Sequence, residues 1–236
     1  MIIGPFNTKG VTGTEAIVVF FDLEGFSSFF MQPDVHRYAI DYLNIVFEAV
    51  DLAFCEEPPY WLPKESQAGW RPISCRPDYV KFTGDGGLLI WIAAMHTEPI
   101  PLAFKLKLTG FLWALKSSFD EVTKKAQNVV PLAKLPKRIR FGLTGGTVYG
   151  LTRGLSNVPE DYIGFCINLA ARLQDYCREI GFIVSARIVM DEFIIKKLNW
   201  IKTTAIDLKG FEKEIVYVDK LDFDALPEDK RKSLFA

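Results

Sequence analysis

The run Tyr79-Val80-Lys81-Phe82-Thr83-Gly84-Asp85-Gly86-Gly87-Leu88-Leu89-Ile90-Trp91-Ile92 decides the fold class. Two β-branched and aromatic segments, 79–82 and 88–92, flank a glycine-rich connection with Asp-Gly at the turn, the signal of a hairpin. Asp85 sits at its tip. Upstream, residues 16–22 are β-branched and aromatic without a helical period, which predicts a strand buried on both faces, ending at Asp22 and broken at Gly25. Apolar residues from Asp34 to about Phe54 recur at three- and four-residue intervals, a helix with Asp34 as its N-cap. Downstream, residues 101–126 read as helix and 139–149 as a strand with a bulge or close approach at Gly145-Gly146. A helix over 168–178, a strand at 182–185, a helix over 188–198 and a closing hairpin of 203–208 with 215–218 follow. The order β-α-β-β-α-β-α-β-α-β-β with hairpins predicts an α+β fold, ferredoxin-like with additions, in which helices cover a mixed or antiparallel sheet.

A chain of 236 residues, 49% apolar and 14% aromatic, predicts one domain with a sizeable core and excludes global disorder. The formal charge of −1 gives no general attraction to nucleic acid or anionic lipid, so no nucleic-acid partner is expected. The longest apolar run, Leu88 to Met95, falls short of the roughly 18 residues that span a bilayer. No membrane partner is expected either, and without a secretion signal at the amino terminus the expected location is the cytoplasm. Cys55, Cys75, Cys166 and Cys177 lack Cys-x-x-Cys spacing and a nearby histidine, which predicts reduced thiols, mostly packing groups. His36 and His96 stand alone and read as structural. Residues 56–77, rich in proline and tryptophan, form an insert of open role, and the charged tail 219–236 is expected to fray.

Taken singly, Asp22 has a plain role capping the turn after its strand and Asp85 one serving the hairpin. Together they suit a hard cation, because paired carboxylates repel unless positive charge neutralises them. Four ordered segments carry a family likeness: residues 21–26 (FDLEGF), 81–85 (KFTGD), 140–142 (RFG) with Gly146 and Val148, and 161–172 (DYIGFCINLAAR). They resemble the signature segments of class III nucleotidyl cyclases over about residues 16–218, and Lys209-Gly210-Phe211 extends the match.

That resemblance implies that Asp22 and Asp85, with Leu23 beside them, hold two Mg²⁺ or Mn²⁺ ions, and that Asn168 and Arg172 act on the ribose and the transition-state phosphate. Spacing agrees, since residues four apart in a helix share a face. Lys209 resembles the triphosphate-binding lysine, with a solvent-facing lysine as the equal alternative. Thr147 departs from members that carry a phosphate-binding arginine there. The family places the metal pair and the Asn-Arg helix on different protomers, which implies a homodimer with composite sites. The implied reaction is attack of a ribose 3′-hydroxyl on the α-phosphorus of a nucleoside triphosphate, expelling pyrophosphate.

Lys81 and Asp161 match the positions that read adenine. One donor beside one acceptor also suits cytosine or uracil, so pocket size must separate purine from pyrimidine. Tyr79 on the strand face of Lys81, aromatic bulk from Phe82 and Phe165, and Ile163 in place of an aromatic residue favour the smaller base. With its insert, the chain looks like the stand-alone bacterial pyrimidine cyclases of anti-phage (Pycsar) systems, UTP ahead of CTP. The alternatives are an adenylate cyclase, a catalytically inactive cyclase-like domain and an unrelated ferredoxin-like ligand-binding module.

Overall fold

The β-branched and aromatic run at 16–22 extends at both ends into an eleven-residue strand. In the computed structural model, which describes residues 6–7, 11–94, 99–153, 159–188, 190, 195 and 198–236, the elements follow in this order. They are β1 (Phe6–Asn7), β2 (Thr14–Glu24), α1 (Phe26–Phe30), α2 (Ala39–Asp51), α3 (Lys64–Gln67), β3 (Tyr79–Phe82), β4 (Gly86–Ile92), α4 (Leu102–Ser117) and α5 (Phe119–Gln127). The second half comprises β5 (Arg138–Arg153), β6 (Asp161–Ile163), α6 (Phe165–Tyr176), β7 (Phe182–Ser185), β8 (Trp200–Ile206), β9 (Lys213–Asp219), α7 (Lys220–Asp224) and α8 (Glu228–Leu234).

The sheet has the order β3-β4-β2-β5-β7-β9-β8, with β1 and β6 added to β5. Both hairpins pair antiparallel, and the β5–β7 pair is parallel. The fold is therefore α+β with a mixed sheet covered by helices, as the hairpin signals predict. Alternation along each strand divides the residues between two layers. Ile17, Val19, Phe21 and Leu23 of β2 join Leu89, Trp91, Phe141 and Leu143 in the main core beneath α2, α4 and α5. On the other face, Ala16 and Val18 meet Leu88, Ile90 and Val148 beneath Cys166 and Ala170 of α6.

Helix α6 lies directly against β5, a close approach that depends on glycine. A Cβ on Gly142 would fall 2.1 Å from the Ala170 carbonyl oxygen and 2.5 Å from the Gln174 nitrogen. The sheet face that carries α6 is thus held at a fixed distance from the helix backbone.

Several local expectations give way. Asp34 is no N-cap: it takes a left-handed conformation at φ 61°, its side chain caps nothing, and α2 begins at Ala39 after a 3₁₀ turn. The helical stretch after Pro101 breaks at Ser118 and restarts with Asp120 and Glu121 in the first turn, where the helix dipole favours acids. Of the two alternatives at Gly145-Gly146 the close approach holds and the bulge does not: β5 runs unbroken there, and Gly146 lies against Cys166 of α6. The expected helix over 188–198 lies largely outside the described residues, as does His96, whereas His36 is exposed.

The insert packs on the helical layer. Trp61 is buried, its indole N–H donates to the Ala49 carbonyl at 3.2 Å and its ring meets Phe111 at 5.1 Å. The tail does not fray. Phe235 is 6% exposed beside Tyr176 and Phe223, and the backbones of Thr204 and Ala236 exchange hydrogen bonds. All four cysteines are free thiols. Among the described residues no helix is long and apolar enough to cross a membrane.

Gly142→Ala tests the packing of α6. The added methyl should force helix and strand apart and lower stability by about 1–3 kcal/mol, read as a shift in the urea midpoint.

Candidate active site

Register and alternation bring the conspicuous residues to one sheet face. Ala16, Val18 and Asp22 share it on β2; Asp22 lies opposite Gly86 of β4 and Arg140 of β5. Lys81 pairs with Leu88, which pairs with Phe20, so Lys81 lies on the same face two strands from Asp22. Strand spacing puts their backbones about 12 Å apart.

At the end of β2, the tip of the β3–β4 hairpin folds over the strand. The Leu23 N–H donates to the Asp85 carbonyl at 2.8 Å. Burial raises the Asp22 carboxyl above its ordinary value, Arg140 opposes that rise, and the nearby Asp85 carboxylate adds to it by charge and hydrogen bonding. The Arg140 guanidinium donates from Nη2 to Asp22 Oδ2 and reaches Asp175 Oδ1 of α6 from Nη1 at 3.4 Å.

Among the described residues no group of three or more His, Cys, Asp or Glu side chains is gathered for a metal. The donors present are two carboxylates, and beside them the Leu23 carbonyl, which in an extended strand lies on the same edge as its N–H. An oxygen-only set with few protein ligands fits a hard cation such as Mg²⁺ or Mn²⁺ that takes its remaining ligands from water and phosphate.

A second cluster forms across β3 and β6. Lys81 Nζ meets Asp161 Oδ2 at 2.6 Å, while Oδ1 accepts from the Tyr79 hydroxyl and the Tyr162 N–H, each at 2.9 Å. Burial alone would raise the Asp161 carboxyl, but the bonds from Lys81, Tyr162 and Tyr79 outweigh it and hold the group below its ordinary value. Burial, helped by the bond to Asp161, pushes the Tyr79 hydroxyl up to about 12. The Tyr79 and Tyr162 rings meet edge to face at 5.1 Å.

Helix α6 buries Cys166, Leu169, Ala170 and Leu173 and turns Asn168 and Arg172 outward. Among the described residues neither of these side chains makes a hydrogen bond or ion pair, and neither meets Asp22 or Asp85 of its own chain. Lys209 is exposed in the β8–β9 turn, beside Gly210 at φ 84°. Two residues on, the Phe211 ring packs on Phe165 at 4.8 Å, tying the turn to the start of α6.

Two supposed pocket residues lie elsewhere. Phe82 follows Lys81 in the strand, so it faces the opposite layer, where its ring meets Phe47 at 5.8 Å. Phe165 spends its ring on Phe211 and on the Arg187 guanidinium, 4.9 Å above it. Ile163 is exposed opposite Tyr149. The sequence reading missed Arg140 and Asp175 as partners at the carboxylate end and Tyr162 as a donor to Asp161. For Arg140 a signal existed, its two-residue spacing from Gly142 on the face beneath α6, but its partner depended on register.

No protein-family model and no curated relative matches the chain. Solved structures share its fold. The adenylyl cyclase CyaB from P. aeruginosa matches with a TM-score of 0.61 at 17% identity, covering 88% of this chain and 94% of that one. The guanylyl cyclase Cya2 matches at 0.60 and 17%, covering 89% and 93%. A dimeric guanylyl cyclase domain of the RhoGC fusion protein from the aquatic fungus Blastocladiella emersonii matches at 0.50 and 15%, covering 88% and 96%. The α+β architecture is thus that of the class III cyclase domains.

The Lys81–Asp161 pair makes a prediction in acid. A carboxyl held below its unfolded value of 3.8 stabilises the fold above that value, and the contribution fades as pH falls through the lower folded value. Asp161→Asn should remove this acid-sensitive component. Urea midpoints followed from about pH 7 to about pH 2 should converge for wild type and variant at the acid end.

Proposed function

We propose that the protein is a nucleotidyl cyclase that converts a nucleoside triphosphate to its 3′,5′-cyclic nucleotide and pyrophosphate. The observation that carries this reading is the division of one sheet face into two half-sites, the Asp22–Asp85 pair at the strand ends and an outward Asn168–Arg172 pair with no partner among the described residues. Two such chains head to tail would set each half-site against its complement, giving a homodimer with two composite sites. The catalytic unit is the single domain of residues 1–236, with its core at about 16–218.

In the reaction the 3′-hydroxyl releases its proton to water, its oxygen bonds to the α-phosphorus, the bond from that phosphorus to the bridging oxygen breaks, and pyrophosphate leaves. Asp22, Asp85 and the Leu23 carbonyl hold two divalent cations, Mg²⁺ or Mn²⁺, which supply Lewis acidity at the ribose hydroxyl and phosphate oxygens. Asn168 orients the ribose, and Arg172 meets the charge developing on the α-phosphate. Losing one such donor costs about 10²–10³ in rate. Lys209 reaches the triphosphate. No covalent enzyme intermediate is needed.

Lys81 donates to the base and Asp161 accepts from it. Tyr79 and Tyr162 crowd that pair, with the Tyr79 hydroxyl already on Asp161, and crowding suits a pyrimidine. Ile163 lines the base side of the site. We therefore assign UTP ahead of CTP, with the cyclic product as a second messenger in cytoplasmic anti-phage defence. The second reading, ATP to cyclic AMP, draws on the same Lys81–Asp161 pair, whose one-donor, one-acceptor pattern serves adenine equally.

Incubation of the protein with ATP, GTP, CTP and UTP plus Mn²⁺, followed by mass identification of products, should yield cyclic UMP. Cyclic AMP alone would overturn the choice of base, and inertness toward all four the enzyme. Asp22→Ala and Asp85→Ala should each abolish turnover. A mixture of Asp22→Ala and Arg172→Ala proteins should regain part of the activity, because one site of a mixed dimer is intact.

A further inference from the structure

Arg140 is 6% exposed and carries a planar, positively charged guanidinium. Its guanidinium bridges two elements. Nη2 donates to Asp22 at the end of β2, Nη1 lies 3.4 Å from Asp175 on α6, and Nε is buried with no hydrogen-bond partner among the described residues. Its two carboxylates differ in setting, since the Asp22 side chain is 12% exposed and that of Asp175 is 58% exposed.

We infer that Arg140 is the resident counter-charge of the carboxylate pair: it occupies Asp22 Oδ2 until a triphosphate brings the divalent cations, and thereby makes metal load with nucleotide instead of ahead of it. The inference rests on reading Asp22 and Asp85 as the cation site. Two carboxylates alone would offer a doubly negative seat, and Arg140 halves that charge while using one of the oxygens. Asp175 provides the second seat. Because Nη1 already approaches it, the guanidinium can release Asp22 without being stranded in the interior. Arg140 acts through Asp22 and touches no substrate, so it is a positioning residue. Its second seat lies on the helix that carries Asn168 and Arg172, so filling the carboxylate pair alters a contact of that helix.

The test is Mn²⁺ binding to the whole protein without nucleotide, read by electron paramagnetic resonance of the free ion. Charges a few ångströms apart interact strongly in a partly buried setting, so Arg140→Gln should bind Mn²⁺ about tenfold tighter than wild type or more. Arg140→Lys, which keeps the charge, should stay near wild type, and adding Asp22→Asn to Arg140→Gln should abolish the gain. An arginine that merely braced the fold would give weaker binding on removal. Unchanged or weaker binding by a folded Arg140→Gln protein, or a gain that survives Asp22→Asn, overturns the inference.

Should Arg140→Gln fail to give a cooperative thermal melt, Asp175→Asn at the exposed seat replaces it. Holding the guanidinium on Asp22, it should weaken Mn²⁺ binding by about threefold or more, and unchanged affinity overturns the inference. None of these readings uses turnover. A protein inert toward every triphosphate but tightened by Arg140→Gln would refute the cyclase and keep the counter-charge; an active enzyme that Arg140→Gln leaves unchanged in Mn²⁺ affinity would do the reverse.

Discussion

The strict two-residue alternation of β2, β3 and β5, joined in one hydrogen-bonded register, is the constraint on which the rest of the molecule depends. It sends Phe21, Leu23 and Phe141 into the main core while turning Asp22, Lys81 and Arg140 to the other side. A one-residue slip in any of these strands would bury the carboxylate among the helices and expose the core. The large apolar face is therefore also what holds the polar face in order: stability and chemistry are written on alternate residues of the same strands.

Helix α6 completes that arrangement from above. Gly142 lets its backbone approach β5, its buried stripe of Cys166, Leu169, Ala170 and Leu173 fixes its rotation, and Asn168 and Arg172 then have no direction but outward. Phe211 on Phe165 fastens the β8–β9 turn to its first residue, and at its last turn the Tyr176 hydroxyl accepts from the Ile206 N–H and shares its one proton between the Ile206 and Leu234 carbonyls. Both ends of the helix are thus held by the carboxyl-terminal third of the chain. The insert does different work. Trp61 and Ile73 anchor it in the core on the helical layer, on the face turned away from Asp22.

Electrostatics at the two polar clusters is resolved in opposite ways. Asp161 accepts three bonds, one of them from a cation, so it stays ionised easily despite partial burial. Asp22 is more buried, has one strong donor and faces a like charge, and its ionised form is held at a cost. A carboxylate pair of which one member is already paired with a protein cation is a different object from an empty pair awaiting a metal, since every further positive charge must displace or outbid the one already seated.

The sequence by itself determined the fold class, the strands other than β1 and β6, and the ordered motifs, because periodicity, turn residues and motif spacing are local. It also separated Lys81 from Phe82 in principle, since neighbours in a strand face opposite ways; treating both as lining one pocket ignored that rule. Local patterns misled where a stronger neighbour intervened: Asp34 came to precede a 3₁₀ turn, and the charged tail found a hydrophobic seat through Phe235. Only tertiary structure decided that Arg140 meets both Asp22 and Asp175, residues 118 positions before it and 35 after, and that Asn168 and Arg172 find no partner among the described residues. Such pairings follow from strand register and from where a helix comes to rest, which depend on the whole set of long-range contacts and leave no trace in any short stretch of sequence.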